Sequence, residues 1–328
     1  MRIGIIGIGG IGGYFGARLL NRHPEGGEHQ VVFVQRGPHL EAIKNNGLRY
    51  LTRDHEYLVR PSLATDDPSP AGQLDLAVLC VKSYDLEPTL GSLAGCLGPD
   101  SVLLTTMNGV DIGTRCRKAL PGLKVLPGCI YISAHVERPG VVRQVGGAGN
   151  FHFGPEEEDI ERFRWIERLL TDCGIKADLT GDIKTKLWEK YLFVCSLATV
   201  TSACGKTIGE IVSDDDLKAE WTCLMEEILT LAGREGVALP ASAIDECLKR
   251  AGAIPPETKT SMQVDIEKEK RTEIDVFAGH VIKRAGELGL EVPCHTKMYP
   301  KLSGKVSSKP SQKREGNRHG EQHHYHSG

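Results

Sequence analysis

The first twelve residues constrain this chain more than any other stretch. An apolar run over residues 3–6 passes directly into Gly7-Ile8-Gly9-Gly10-Ile11-Gly12, and a helical pattern follows over 11–22. GxGxxG alone is a weak signal because glycine is common. Between a strand and a helix it gains a mechanism. Gly7 permits the tight turn, Gly9 lets backbone approach a pyrophosphate, and Gly12 allows close packing of helix on sheet. Ile8, Gly10 and Ile11 complete a loop whose N–H groups, with the helix N-terminus, face the phosphates. A dinucleotide site is expected here.

The end of the second apolar run indicates which dinucleotide. An NAD site usually places a carboxylate about 20 residues on to hold the ribose 2′-hydroxyl, and an NADP site places arginine there. The run over 31–34 ends in Gln35-Arg36-Gly37, with no carboxylate. A guanidinium can pair with a 2′-phosphate through two hydrogen bonds, so Arg36 favours NADPH/NADP+. Two further runs, over 74–81 and 102–107, end in Lys82-Ser83 and Asn108-Gly109. Ligands in such folds bind outside the carboxyl ends of the strands, which makes Lys82 and Asn108 candidates for cofactor contacts and Asn108 a candidate for substrate as well.

Apolar runs at 3–6, 31–34, 74–81, 102–106 and 124–130 alternate with helical patterns at 11–22, 40–46, 84–94 and 112–120. Continuous rather than alternating apolarity fits strands covered on both faces. The expectation is an α/β Rossmann domain with a doubly wound, mostly parallel sheet. Residues 47–52 and 56–60 read as an inserted hairpin, and 141–145 and 150–153 as further antiparallel strands. Beyond Gly181 the pattern turns helical, at 183–203, 217–235, 241–250 and 262–288, giving an all-α C-terminal domain. The expected division is 1–180 for NADP binding, 181–300 for substrate and catalysis, and 301–328 as a disordered polar tail.

Charge and cysteine content exclude several classes. The net charge is −3. The segment 301–328 carries six Lys/Arg and two Glu, so the preceding 300 residues are at −7. A mildly acidic body argues against a nucleic-acid partner, and no apolar stretch reaches the ~18 residues of a membrane span. The ten cysteines show no CxxC pair and no clustering with histidine, so reduced thiols, a cytoplasmic setting and no metal are expected. Oligomeric state, with a homodimer among the options, is left open by the sequence.

One helical stripe carries a charge. At 100° per residue, Ile183, Leu187, Lys190, Val194, Leu197 and Thr201 fall within about 40° of one line. Lys190 is the only charge on it. A buried ammonium without a partner is costly, so Lys190 either snorkels to an edge or faces a cleft where an anion meets it. Glu273, between Ile266 and Phe277, is a weaker case of the same kind.

The order of GxGxxG, Lys82-Ser83, Asn108-Gly109, Trp188-Glu189-Lys190, Gly209-Glu210, Ser261-Met262 and Arg271-Thr272-Glu273-Ile274-Asp275 resembles the ketopantoate reductase (2-dehydropantoate 2-reductase) family over residues 1 to about 298. The resemblance implies a Rossmann domain joined to a helical domain with the active site between them. It also implies NADPH-dependent reduction of 2-dehydropantoate to (R)-pantoate, on the pantothenate route to coenzyme A. It casts Lys190 as general acid, Asn108 as the residue at nicotinamide and substrate, and Ser261 as a substrate-binding hydroxyl. Glu273 becomes a catalytic carboxylate that contacts cofactor and substrate; Arg36 and Lys82 become the 2′-phosphate and adenine-side contacts. Family members carry asparagines where this chain has Val194, Ala198 and Ile208. Losing amides that would hydrogen-bond substrate changes specificity, so another 2-oxoacid is the alternative substrate. A third reading, a non-catalytic NADP(H)-binding sensor, has no use for Lys190, Ser261 and Glu273 together. After Val292-Pro293 the family adds a closing helix, whereas Pro300 and a polar tail are expected to interrupt it here.

Overall fold

The computed structural model describes residues 1–307. Its N-terminal domain begins β1 (Arg2–Ile6), α1 (Gly10–Arg22), β2 (Gln30–Val34), α2 (Gly37–Asn46), β3 (Leu48–Leu51), β4 (Glu56–Val59) and β5 (Leu63–Thr65). It continues through β6 (Leu76–Leu79), α3 (Leu86–Leu93), β7 (Val102–Thr105), α4 (Ile112–Ala119) and β8 (Lys124–Leu126). Six strands lie in the order β5-β2-β1-β6-β7-β8, every pairing parallel. The sheet is therefore doubly wound. β6 and β7 are buried at every residue, the condition that makes parallel strands uniformly apolar. The chain leaves β1 for β2 on one side and reaches β6 on the other, so the switch point of the sheet lies at the carboxyl end of β1.

A second sheet packs beside the first. β3 and β4 form the antiparallel hairpin, pairing Leu48 with Val59. The apolar run over 124–130 is divided at Pro127, which has no N–H for a ladder, into β8 and β9 (Gly128–Arg138). β9 pairs antiparallel with a single long β10 (Val141–Phe153), across several register shifts. β10 also pairs in parallel with β3 and, beyond α5 (Arg164–Asp172), with β11 (Ala177–Leu179).

The C-terminal domain is helical and built around α6 (Ile183–Cys204). From Leu187 onward nearly every residue of α6 is buried, the mark of a helix enclosed on all sides. It ends at Gly205 in the left-handed conformation with φ 70°, a standard helix stop. α7 (Ile208–Ser213) starts with a capping box, in which Thr207 accepts from the Glu210 N–H and Glu210 accepts from the Thr207 N–H. This gives the Gly209-Glu210 motif a local structural role. α8 (Asp215–Arg234) packs on α6, with the Trp221 indole donating to Ser196 Oγ at 2.8 Å. α9 (Ala243–Gly252), α10 (Ser261–Glu267), α11 (His280–Glu287) and α12 (Pro293–Ser307) complete the domain. Among the described residues, no helix is long and apolar enough to cross a membrane.

Three expectations are corrected. The single helix over 262–288 is broken into α10 and α11, with Glu269 at φ 55° and a wide turn over Asp275–Gly279. Thr272 through Ile274 and Val276 through Ala278 are all buried, which one face of a straight helix cannot achieve. The Tyr191 hydroxyl, 2.9 Å from the carbonyls of both Val276 and Phe277, satisfies backbone that the kink exposes. The disordered tail does not begin at residue 301. α12 continues through Pro300 to Ser307, holding Met298 and Leu302 in the core at 1% and 0% exposure. Glu227 anchors its first turn, accepting from the N–H groups of Cys294 (2.5 Å) and His295 (3.0 Å). The remainder of the expected tail lies outside the described residues. Finally, the cysteines are not all reduced, because Cys223 of α8 and Cys294 of α12 form a disulfide. Their sequence separation of 71 follows no spacing rule, and packing of α12 on α8 brings them together.

Candidate active site

The glycine loop sits at the carboxyl end of β1. Gly7 has φ +89°, which only glycine adopts freely. A Cβ on Gly12 would lie 1.9 Å from the Gly7 carbonyl oxygen, so the turn closes only on glycine there. Gly9 faces open space, with nothing within 4 Å of a Cβ. No side chain caps the start of α1, leaving its first N–H groups free to meet an anion. Gln35 at the end of β2 braces the loop by accepting from the Ile8 N–H at 2.8 Å. These features fit a dinucleotide pyrophosphate. Arg36, whose side chain is 76% exposed, pairs with Asp85 at 2.8 Å, so its guanidinium is presented beside the end of β2 and is partly engaged.

Lys190 is buried at 8% exposure and does not snorkel. Its ammonium donates to Asn108 Oδ1 at 2.8 Å, joining α6 to the loop after β7. Both line a crevice between the domains together with Met107, Cys129, Leu187, Val194 and Phe277. Burial lowers the Lys190 pKa below the ordinary lysine range. Cys129 and Glu273 pull it back up, and the Arg250 charge adds to the lowering. Burial pushes the Cys129 thiol up to about 11, so at neutral pH it is uncharged and gives the ammonium no counter-ion. An ammonium with only a neutral amide partner is poised to meet an anion or a polarised carbonyl.

Glu273, 5% exposed, lies at a second junction. Its Oε1 accepts from the Ser83 N–H at 3.2 Å, and its Oε2 meets Lys82 Nζ at 3.1 Å. Asp265 Oδ2 binds the same ammonium at 3.2 Å. Burial disfavours charge on Lys82, but the two carboxylates outweigh it and raise the pKa, keeping the ammonium charged. The structure thus brings Lys82 and Glu273 together and turns Lys82 toward the helical domain. Ser261 stands exposed at the first position of α10, just after the N-cap Thr260.

Sequence reasoning missed Asp265, Cys129, Tyr191 and Arg250. Asp265 follows Ser261 by one helical turn, which placed it on the same face. Cys129 and Tyr191 lie within apolar runs that gave no signal.

Family models and known structures agree with this architecture. Residues 3–158 match the model described as "Ketopantoate reductase PanE/ApbA", and residues 182–306 match "Ketopantoate reductase PanE/ApbA C terminal". A 2-dehydropantoate 2-reductase of Mesorhizobium japonicum is 32% identical over 302 residues, covering 86% of this chain and 90% of that protein. The crystal structure of 2-dehydropantoate 2-reductase from Porphyromonas gingivalis W83 superposes with a TM-score of 0.80 at 30% identity, covering 92% of this chain and 99% of the other. D-mandelate dehydrogenase, solved with NADH and anilino(oxo)acetate, has the same fold, with a TM-score of 0.83 at 20% identity over 94% of this chain and 99% of that one.

Proposed function

The chain belongs to the ketopantoate reductase family, and from that premise we propose that it reduces a 2-oxoacid with NADPH, using Lys190 as the proton donor. It is an NAD(P)H-dependent oxidoreductase acting on a ketone or CH–OH group. The observation that carries the finer reading is the buried Lys190 ammonium, held on Asn108 in the crevice between the domains. NADPH rather than NADH is supported by Arg36 at the end of β2 and by the absence of a carboxylate in Gln35-Arg36-Gly37.

The loop Gly7–Gly12 and the start of α1 would hold the pyrophosphate, Arg36 the 2′-phosphate and Asn108 the nicotinamide end. A reduced nicotinamide, when bound, supplies hydride to the ketone carbon. Negative charge then develops on the ketone oxygen, where the Lys190 ammonium stabilises it and delivers the proton. Its lowered pKa suits that transfer, because a donor is most effective when its pKa lies near the working pH. Asn108 fixes the direction of the ammonium. Glu273 orders the neighbouring turn through Lys82 and the Ser83 N–H. Ser261, exposed at the start of α10, is assigned to substrate.

2-Dehydropantoate is the first substrate to test, on the pantothenate route. A more apolar 2-oxoacid is the second reading, favoured by Val194 in the crevice wall where the family carries an amide. Loss of NADPH absorbance with a panel of 2-oxoacids tests both. Oxidation with ketopantoate alone supports the first, and a preference for unhydroxylated 2-oxoacids supports the second. Binding of NADPH without oxidation of any of them defeats both and leaves a sensor.

A further inference from the structure

A second cation makes its charge felt at Lys190. Arg250, exposed near the end of α9, places its guanidinium carbon 4.4 Å from the Tyr131 ring centroid and 5.0 Å from that of Phe193. Tyr131 lies on β9, two residues beyond the crevice-lining Cys129, and Phe193 lies on α6, three residues after Lys190 and next to Val194. The two rings therefore come from different domains and converge on one side chain beside the crevice. Stacking engages the faces of the guanidinium; the Tyr131 hydroxyl takes one of its N–H donors, and the other donors of the fork remain for a ligand. Among the described residues, no carboxylate oxygen lies within the 4.0 Å of an ion pair with Arg250. Glu189, the carboxylate one residue before Lys190, is held by Lys186 at 3.0 Å.

A 2-oxoacid carries its carboxylate one bond from the ketone carbon. Its recognition therefore calls for one positive group at the ketone oxygen and a second at the carboxylate. Lys190 meets the first requirement and cannot meet both. The amides that the family places at three positions are absent: Val194 is apolar, and Ala198 and Ile208 are buried in the core at 2% and 3% exposure. Among the described residues, Arg250 is a cation whose charge acts on Lys190, and its planar fork matches a carboxylate through two hydrogen bonds.

We infer that Arg250 binds the carboxylate of the substrate, presented by Tyr131 and Phe193, so that the enzyme accepts free 2-oxoacids and discriminates against their amides and esters. This deepens the reductase reading and rests on it.

The test compares wild type with Arg250→Gln, whose side chain is exposed and whose fold is checked by thermal melting. Turnover is measured with 3-methyl-2-oxobutanoate and with its amide. Binding of 3-methyl-2-oxobutanoate to the NADP+ complex is measured by calorimetry, which needs no turnover. The expected result is a KM for the acid raised about 10- to 100-fold in the variant, with kcat within about threefold and the rate on the amide unchanged. Calorimetric affinity should weaken by the same factor. An unchanged KM and affinity for the acid in a folded variant overturns the assignment. So does an equal loss on acid and amide, which indicates a merely structural role. If wild type oxidises NADPH with no 2-oxoacid, yet binds one in a manner that depends on Arg250, the carboxylate site stands and the reductase reading falls. Absence of both turnover and binding in wild type overturns the two together.

Discussion

Replacing Lys190 by methionine separates the chemistry of the crevice from its effect on stability. Methionine keeps an unbranched stem and removes the charge. In the native protein the ammonium is 8% exposed and its hydrogen-bond acceptor, Asn108 Oδ1, is neutral. An isolated cation in such a place destabilises a fold by several kcal/mol even after relaxation. Its removal leaves Asn108 Oδ1 without a donor, at about 1–3 kcal/mol, toward the low end because Asn108 is only half-buried. The balance is a gain of about 1–2 kcal/mol, or roughly 2–8 °C in Tm for a cooperative unit of ~150–250 residues. The sign with pH follows from linkage. The folded-state pKa lies below the ordinary 10.5, so between the two values the unfolded chain binds more protons and wild-type stability rises with pH. The penalty is fully present below the folded pKa and fades above it. The advantage of the variant should therefore be largest near neutrality and narrow as pH approaches 10.5. Circular-dichroism melts across that range measure this, alongside turnover, which should fall by about 10²–10⁴. A variant no more stable than wild type at pH 7, or a gap indifferent to pH, refutes the buried-charge argument. Turnover within tenfold of wild type removes Lys190 as proton donor.

Three further outcomes are expected. Gly12→Ala drives a Cβ against the Gly7 carbonyl, so stability should drop by about 1–3 kcal/mol and NADPH affinity, read by fluorescence titration, should collapse; native affinity would remove the closed turn from cofactor binding. Arg36→Ala should weaken NADPH about 10- to 100-fold and leave NADH nearly untouched, and an unchanged preference in kcat/KM for the two cofactors argues that Arg36 serves only Asp85. Reduction of Cys223–Cys294, which closes a loop across a separation of 71, should remove at most ~4 kcal/mol by loop entropy. Melts with and without dithiothreitol read this effect, and a Tm indifferent to reduction in wild type, or lowered equally in Cys223→Ser, shows that the bridge contributes nothing.

What the sequence revealed depended on whether a residue's type was constrained by its own neighbourhood. Gly7 and Gly12 were legible because a positive φ and a contact with backbone exclude every other side chain, and that requirement is local. Lys190 was legible because a charge on an apolar stripe is anomalous, and burial in the crevice resolves the choice between snorkelling and facing a cleft. Arg250 gave no such signal. It lies among Glu246, Lys249 and other polar residues of α9, where a solvated arginine would look the same. Its meaning comes from Tyr131 and Phe193, which only the tertiary fold delivers. Glu273 was legible as a candidate but its setting was not, because the helical periodicity runs on through a segment whose backbone breaks at Glu269 and reforms after Gly279. Pro300 reads as a helix stop, yet the burial of Met298 and Leu302 on either side of it outweighs one missing hydrogen bond.

The three replaced amides are not equivalent once placed in the fold. Ala198 and Ile208 are core residues, enclosed where an amide would have to find partners for every donor and acceptor or carry a desolvation penalty. Apolar side chains there remove that obligation, and their effect is on the packing around α6 and α7. Val194 alone of the three lines the crevice, one turn beyond Lys190 on the same face of α6. On the proposed function, the change in the wall that substrate meets is thus confined to a single position, where a β-branched apolar side chain stands in place of an amide. A methyl-lined wall there interacts well with a branched hydrocarbon and leaves a substrate hydroxyl without a partner. Lys190, Asn108, Lys82 and Glu273 form two polar links between the domains, neither of which involves position 194. On the proposed function, specificity can therefore shift toward apolar 2-oxoacids at Val194 while the groups proposed to move the proton stay where they are.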